Sequence, residues 1–120
     1  MITRTEGRYL RFFVHENRRH HGILLYEWLL EQAKKLGIQG GTAFRSIAGY
    51  GRHGILHEQH FLELAGDQTV RVDFVVRMDE GSTLLSLIER ENLALFFAEL
   101  PASFGLVGGA VTGHATDKPA

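Results

Sequence analysis

From Val70 to Arg77 the chain alternates without a break, with Val70, Val72, Phe74 and Val76 on one side and Arg71, Asp73, Val75 and Arg77 on the other. A period of two is the signature of a β-strand, and this is the clearest strand in the chain. Arg8 to His15 repeats it, with Leu10, Phe12 and Val14 alternating with Arg11, Phe13 and His15. The polar stretch Glu16 to Gly22 then ends the pattern.

From Ile23 to Leu36 the period changes. Leu25, Leu29, Ala33 and Leu36 recur at helical spacing, widened by Leu24 and Trp28. Lys34 and Lys35 suit the negative end of a helix, and Gly37 is placed to close it. A second strand is expected over Thr42–Ala48, ending at Gly49-Tyr50-Gly51, and a long loop over residues 52–68. Ser82 is the expected N-cap of a second helix, with Asp79 and Glu80 near its positive end, Leu84, Leu87 and Ile88 on its core stripe and Asn92 at its close. Leu93 to Leu100 reads as a fourth strand halted by Pro101. Residues 8–103 are one domain in this reading, and the Gly-rich residues 104–120 a flexible C-terminal tail.

The order β-α-β-β-α-β is the α+β, ferredoxin-like arrangement: a four-stranded antiparallel sheet with two helices on one face and a long loop between strands 2 and 3. The other face would carry Phe13, His15, Ile47 and Val75, too apolar to stay wet, so association with further copies is expected.

The remaining composition excludes more than it assigns. With no cysteine there are no disulfides, thiolate nucleophiles or cysteine metal clusters. Met1 to Arg8 has neither an apolar stretch nor a small-residue cleavage site, and no run approaches the roughly 20 apolar residues that span a bilayer. A cytoplasmic protein without direct membrane insertion is expected. The net charge of −1 gives no generic attraction to nucleic acid. Ser46, Ser82, Ser86 and Ser103 lack the surroundings of a nucleophile, and Glu89 and Glu91, two apart on a helix, diverge. No catalytic residue is assigned, and the chain is not read as an enzyme.

The turn Gly49-Tyr50-Gly51-Arg52-His53-Gly54, leaving strand 2 into a long loop, resembles the start of the T-loop of PII signalling proteins. A closer resemblance is to the PII-like domain-of-unknown-function family 190. It rests on Gly41-Thr42-Ala43-Phe44-Arg45-Ser46-Ile47-Ala48-Gly49-Tyr50-Gly51, on Leu56-His57-Glu58, and on His15-Glu16-Asn17 followed by Gly22 and Leu25-Tyr26-Glu27. The resemblance spans about residues 8–100. It implies a homotrimer with ligand clefts between subunits, a small ligand such as an adenine nucleotide, and a partner protein, a membrane transporter or an enzyme, addressed through the loop.

Amide groups of a Gly-rich turn form an anion-binding concavity, and Arg52 adds a charge-assisted bond. The ligand-binding candidates are therefore Arg45, Gly49, Tyr50, Gly51 and Arg52, with Gly81 and Ser82 supplying a helix N-terminus. PII proteins carry a Gly-rich, Lys-containing loop before or around the second helix. Here Met78-Asp79-Glu80-Gly81 is acidic, which favours AMP or ADP over ATP. The loop has no tyrosine to accept a nucleotidyl group.

Seven histidines leave two other readings open. His53, His57 and His60 fall on one face if their segment is helical, which would suit Zn²⁺, Ni²⁺ or Cu²⁺ in a metal-binding or metal-responsive trimer. His20 and His21 are adjacent, diverge on a regular element, and read as surface residues. A small ferredoxin-like enzyme of unknown reaction is the third reading, because this fold hosts many chemistries.

Overall fold

The computed structural model describes residues 1–50 and 68–108. The elements run β1 (Thr5–His15), β2 (Arg19–His20), β3 (Ile23–Leu24), α1 (Leu25–Lys35), β4 (Gly41–Arg45), β5 (Thr69–Arg77), α2 (Met78–Arg90) and β6 (Phe96–Phe104). Four strands form one antiparallel sheet in the order β4-β5-β1-β6. With the small β2–β3 hairpin set aside, this is the expected ferredoxin-like βαββαβ order.

The two alternating segments occupy the centre of the sheet, where they pair from Gly7↔Arg77 to His15↔Thr69. Leu10, Phe12, Val14, Val70, Val72, Phe74 and Val76 project to one face and are buried there with Leu25, Trp28, Leu29 and Ala33 of α1 and Leu84 and Ile88 of α2. Each fully buried side chain of this size contributes about 1.5–3 kcal/mol of transfer free energy.

Both helices close in the same way. Gly37, at φ 90°, donates its amide to the Lys34 carbonyl, and Ile38 donates to Ala33. Asn92, at φ 61°, and Leu93 repeat this on Glu89 and Ile88. This paired closure satisfies carbonyls that the helix leaves free, and it uses the two residues expected to end the helices.

Several boundaries differ from expectation, among them the start of β1 at Thr5 and of β6 at Phe96. α1 starts at Leu25 because Ile23 and Leu24 pair back with His20 and Arg19. The two residues between, His21 at φ 53° and Gly22 at φ 83°, have the double left-handed twist of a tight hairpin turn. β4 stops at Arg45, so Ile47 is not on the sheet and is 93% exposed. α2 begins at Met78, directly after β5, which puts Ser82 inside the helix instead of at its cap. β6 runs through Pro101 to Phe104. It is an outer strand, where a proline is accommodated if its missing amide hydrogen would have pointed away from the neighbour.

Past β6, Leu106 accepts a hydrogen bond from the Thr3 amide, and Gly108 donates to Met1 at 2.7 Å. Among the described residues no helix is long and apolar enough to cross a membrane.

Candidate functional site

β4 ends at Arg45 and β5 begins at Thr69, at the same end of the sheet. The Ser46 amide donates to the Thr69 carbonyl at 2.9 Å, and the Glu16 amide donates to the Gln68 carbonyl at 2.8 Å. Arg45 closes this base from the β4 side, with its Nε 3.3 Å from Glu16 Oε1. Arg45 is largely exposed and Glu16 partly so, and a pair this open to solvent contributes about a kcal/mol or less. Arg18 lies in the turn after β1, where its Nη1 donates to the Ala94 carbonyl at 3.0 Å. Gly49 and Tyr50 follow β4, and the Tyr50 side chain is 85% exposed. Gly51, Arg52 and the histidines His53, His57 and His60 lie outside the described residues. Glu16 and Arg18 were not among the sequence candidates; their signal was the polar run Glu16 to Arg19 immediately after the first strand.

Gly81 and Ser82 stand elsewhere. Arg45 pairs with Val70 at one end of β5, whereas Gly81 packs over Val76 near the other. Six residues of strand separate them, about 20 Å. One subunit therefore does not bring these two groups together. The start of α2 also serves acidic side chains. The Arg77 amide donates to Glu80 Oε1 at 2.9 Å, and Arg77 is ion-paired with Asp79 and Glu80. The hydrogen bond from Arg77 holds the Asp79 carboxyl below its ordinary range. As residues four and five of the helix, Gly81 and Ser82 have amides that belong to its internal ladder.

The sheet face without helices is built from Phe44, Arg71, Phe13 and Phe96 in one row, Thr42, Asp73, Arg11 and Ala98 in the next, and Val75, Tyr9 and Leu100 in a third. Asp73, 6% exposed, is the one buried charged residue among those described. It accepts from Tyr9 Oη at 2.9 Å and from Arg71 Nε at 3.0 Å. Arg71 also lies 4.5 Å from the centre of the Phe44 ring. Arg11 Nε is ion-paired with Asp73 at 3.7 Å, too far for a hydrogen bond, and is buried with no hydrogen-bond partner among the described residues. Beside Asp73 an open groove of about 410 Å³ runs along β4, lined by Tyr9, Gly41, Thr42, Phe44, Val75 and Phe104. Phe44, Val75, Phe96 and Leu100 remain exposed on this face.

Four likenesses bear on this arrangement. The family model DUF190, described as "Uncharacterized ACR, COG1993", matches residues 7–92. A UPF0166 protein of Aquifex aeolicus is 31% identical over 90 residues, covering 75% of this chain and 86% of that protein. Among solved structures, CPII of Thiomonas intermedia K12 bound to ADP, AMP and acetate superposes with a TM-score of 0.62 at 14% identity, covering 88% of this chain and 94% of the other. Another CPII structure, described as that of a nitrogen regulatory PII-like protein bound to ADP, AMP and bicarbonate, gives a TM-score of 0.59 at 14% identity with the same coverage. At such identities the superpositions establish the fold, while the family match rests on the sequence. The chain is a member of the DUF190 family with the fold of the PII-like signalling proteins.

Proposed function

We propose that this protein is a cytoplasmic, non-catalytic PII-like regulator. In this reading it is a homotrimer that binds an adenine nucleotide, AMP or ADP in preference to ATP, in clefts between subunits. The observation that carries the reading is the likeness in fold to CPII, which holds ADP and AMP. The ligand sits at the base of the Ser46–Asp67 segment, with Arg45, Gly49 and Tyr50 at its described edge and Gly51 and Arg52 continuing it. Gly81 and Ser82 would reach such a cleft only from a neighbouring subunit. Residues 52–68 carry the signal to a partner protein, a transporter or an enzyme, because a ligand that binds one state of the segment more tightly shifts its population.

Arg45 supports the assignment. Its partner Glu16 is exchangeable, and a phosphate offers the guanidinium a stronger, forked contact. The acidic start of α2 speaks for few phosphates, since Asp79 and Glu80 already occupy the positive end of that helix.

A thermal melt against AMP, ADP and ATP tests the reading. A nucleotide at about 100 times its dissociation constant adds about 2.7 kcal/mol to the folded state, a rise of several degrees. Gly51→Asp sets a carboxylate where phosphate would bind and is expected to weaken AMP or ADP by at least about tenfold, which is about 1.4 kcal/mol. Undiminished nucleotide affinity in that variant, or a parent protein that responds to none of the three, overturns the assignment.

A further inference from the structure

We propose that His20, His21 and Glu91 form a binding site for one divalent transition-metal ion, taken up by two imidazole nitrogens and one carboxylate oxygen. The site lies in the described part of the chain and shares no residue with the histidines of residues 53–60.

Glu91 Oε1 lies 2.8 Å from His20 Nε2 and 3.0 Å from His21 Nε2, and all three donor atoms fall within 4.8 Å of one another. With metal–ligand bonds of about 2.0–2.2 Å, tetrahedral donors stand roughly 3.3–3.5 Å apart. Side-chain rotations that open the two Glu91 contacts by about half an ångström and bring the two imidazole nitrogens, within 4.8 Å, to the same spacing would admit an ion. Without metal, one carboxylate oxygen accepts from two imidazole N–H groups. With metal, both nitrogens turn their lone pairs to the ion.

Adjacent residues on a regular strand point to opposite faces, so two neighbouring histidines converge only where the backbone turns. Here the left-handed conformation of His21 in the β2–β3 turn brings the ring centres to 4.1 Å. The turn is held at several points. Arg19 Nη1 donates to the Gly22 carbonyl at 3.1 Å, and the Leu25 amide donates to the Arg18 carbonyl at 2.7 Å. The ring of His20 meets Trp28 edge to face at 4.7 Å. Glu91 is equally fixed as the C-cap of α2, locked by the closure at Asn92 and Leu93. Supports of this kind fix the first ligands and let a site form without reorganising the chain.

The electrostatics agree. The C-terminal end of a helix carries partial negative charge and favours a cation. The nearby guanidiniums of Arg18 and Arg19 are bonded to the carbonyls of Ala94 and Gly22. Two imidazoles and a carboxylate, with no sulfur, suit Zn²⁺ and its first-row neighbours, and three protein ligands leave a position for water. The His21 side chain is 65% exposed, which leaves the site open to ions from solvent.

Zn²⁺ is the probe, titrated calorimetrically into the full chain with His53, His57 and His60 all changed to Gln, and into the same chain carrying Glu91→Gln or His21→Asn. Asn is chosen because it tolerates the left-handed backbone at that position. One Zn²⁺ per chain is expected in the first protein. In the other two, affinity should fall by more than the roughly 10- to 100-fold that an outer-shell change costs. Co²⁺ should give visible absorption bands in the first protein and lose them in the others. Metal-free melts check that all three are folded, and Glu91→Gln keeps the test decisive if His21→Asn folds poorly. Equal Zn²⁺ affinity in Glu91→Gln, or no uptake once the three Gln changes are made, overturns the proposal. The nucleotide response of Glu91→Gln is a separate readout, so the two sites succeed or fail independently.

Discussion

Phe74→Ala is expected to lower the stability of the fold by about 3–5 kcal/mol, the range for removing a large aromatic from a core that cannot collapse around the space. Phe74 lies on a central strand and is 2% exposed. Its ring meets Phe12 edge to face at 6.1 Å, and a Cβ at Gly41 would run into it from β4. Strands on both sides prevent the sheet from closing over the cavity. Domains of this size hold about 5–15 kcal/mol in all, so the melting temperature should drop by roughly 10–30 °C. Tyr50→Ala is the control: that side chain is almost fully exposed and should change stability by no more than about 0.5 kcal/mol. Urea and thermal melts of the two variants settle the comparison. A loss under about 1 kcal/mol for Phe74→Ala would show that the core is not centred on this ring.

The sequence made the position of Phe74 legible because eight residues of strict alternation admit one structure, and β5 extends that reading by a single residue, to Thr69. The helix ends at Gly37 and Asn92 were equally legible, since a left-handed residue after a helix has few chemical solutions. What escaped was decided by partners distant in the chain. Pro101 reads as a stop until β6 is known to be an outer strand. Ser82 reads as a cap until the Arg77 amide is seen to close on Glu80. The His20–His21 pair reads as divergent because His-Gly is a less familiar turn signal than Asn-Gly, and Glu91 lies 70 residues further on. The candidate ligand site was legible as a motif but not as geometry. Arg45 was identified without its partner Glu16, and Gly81 and Ser82 were grouped with residues about 20 Å away within the subunit.

Val75→Glu is expected to prevent the proposed trimer from assembling and to leave a folded monomer. The reasoning starts from the helix-free face, where Val75, Tyr9 and Leu100 form an apolar row beside the buried Asp73. On an isolated subunit a glutamate at Val75 is tolerable, because the position is partly open to water. Covered by another subunit, it would put a second carboxylate beside Asp73 and strip it of water, at several kcal/mol per subunit. The orphaned Arg11 Nε points the same way, since a neighbouring chain is the natural source of the missing acceptor. Light scattering should give three times the chain mass of 13.5 kDa for the parent and one chain mass for the variant. Nucleotide affinity then separates the causes. If the ligand clefts lie between subunits, Val75→Glu loses nucleotide together with assembly, whereas Gly51→Asp loses nucleotide and remains a trimer. A monomeric parent, or a Val75→Glu protein that still assembles, would leave this face without the role argued for it. A monomeric variant that binds ADP as tightly as the parent would place the ligand within one subunit, at the base formed by Arg45 and Glu16.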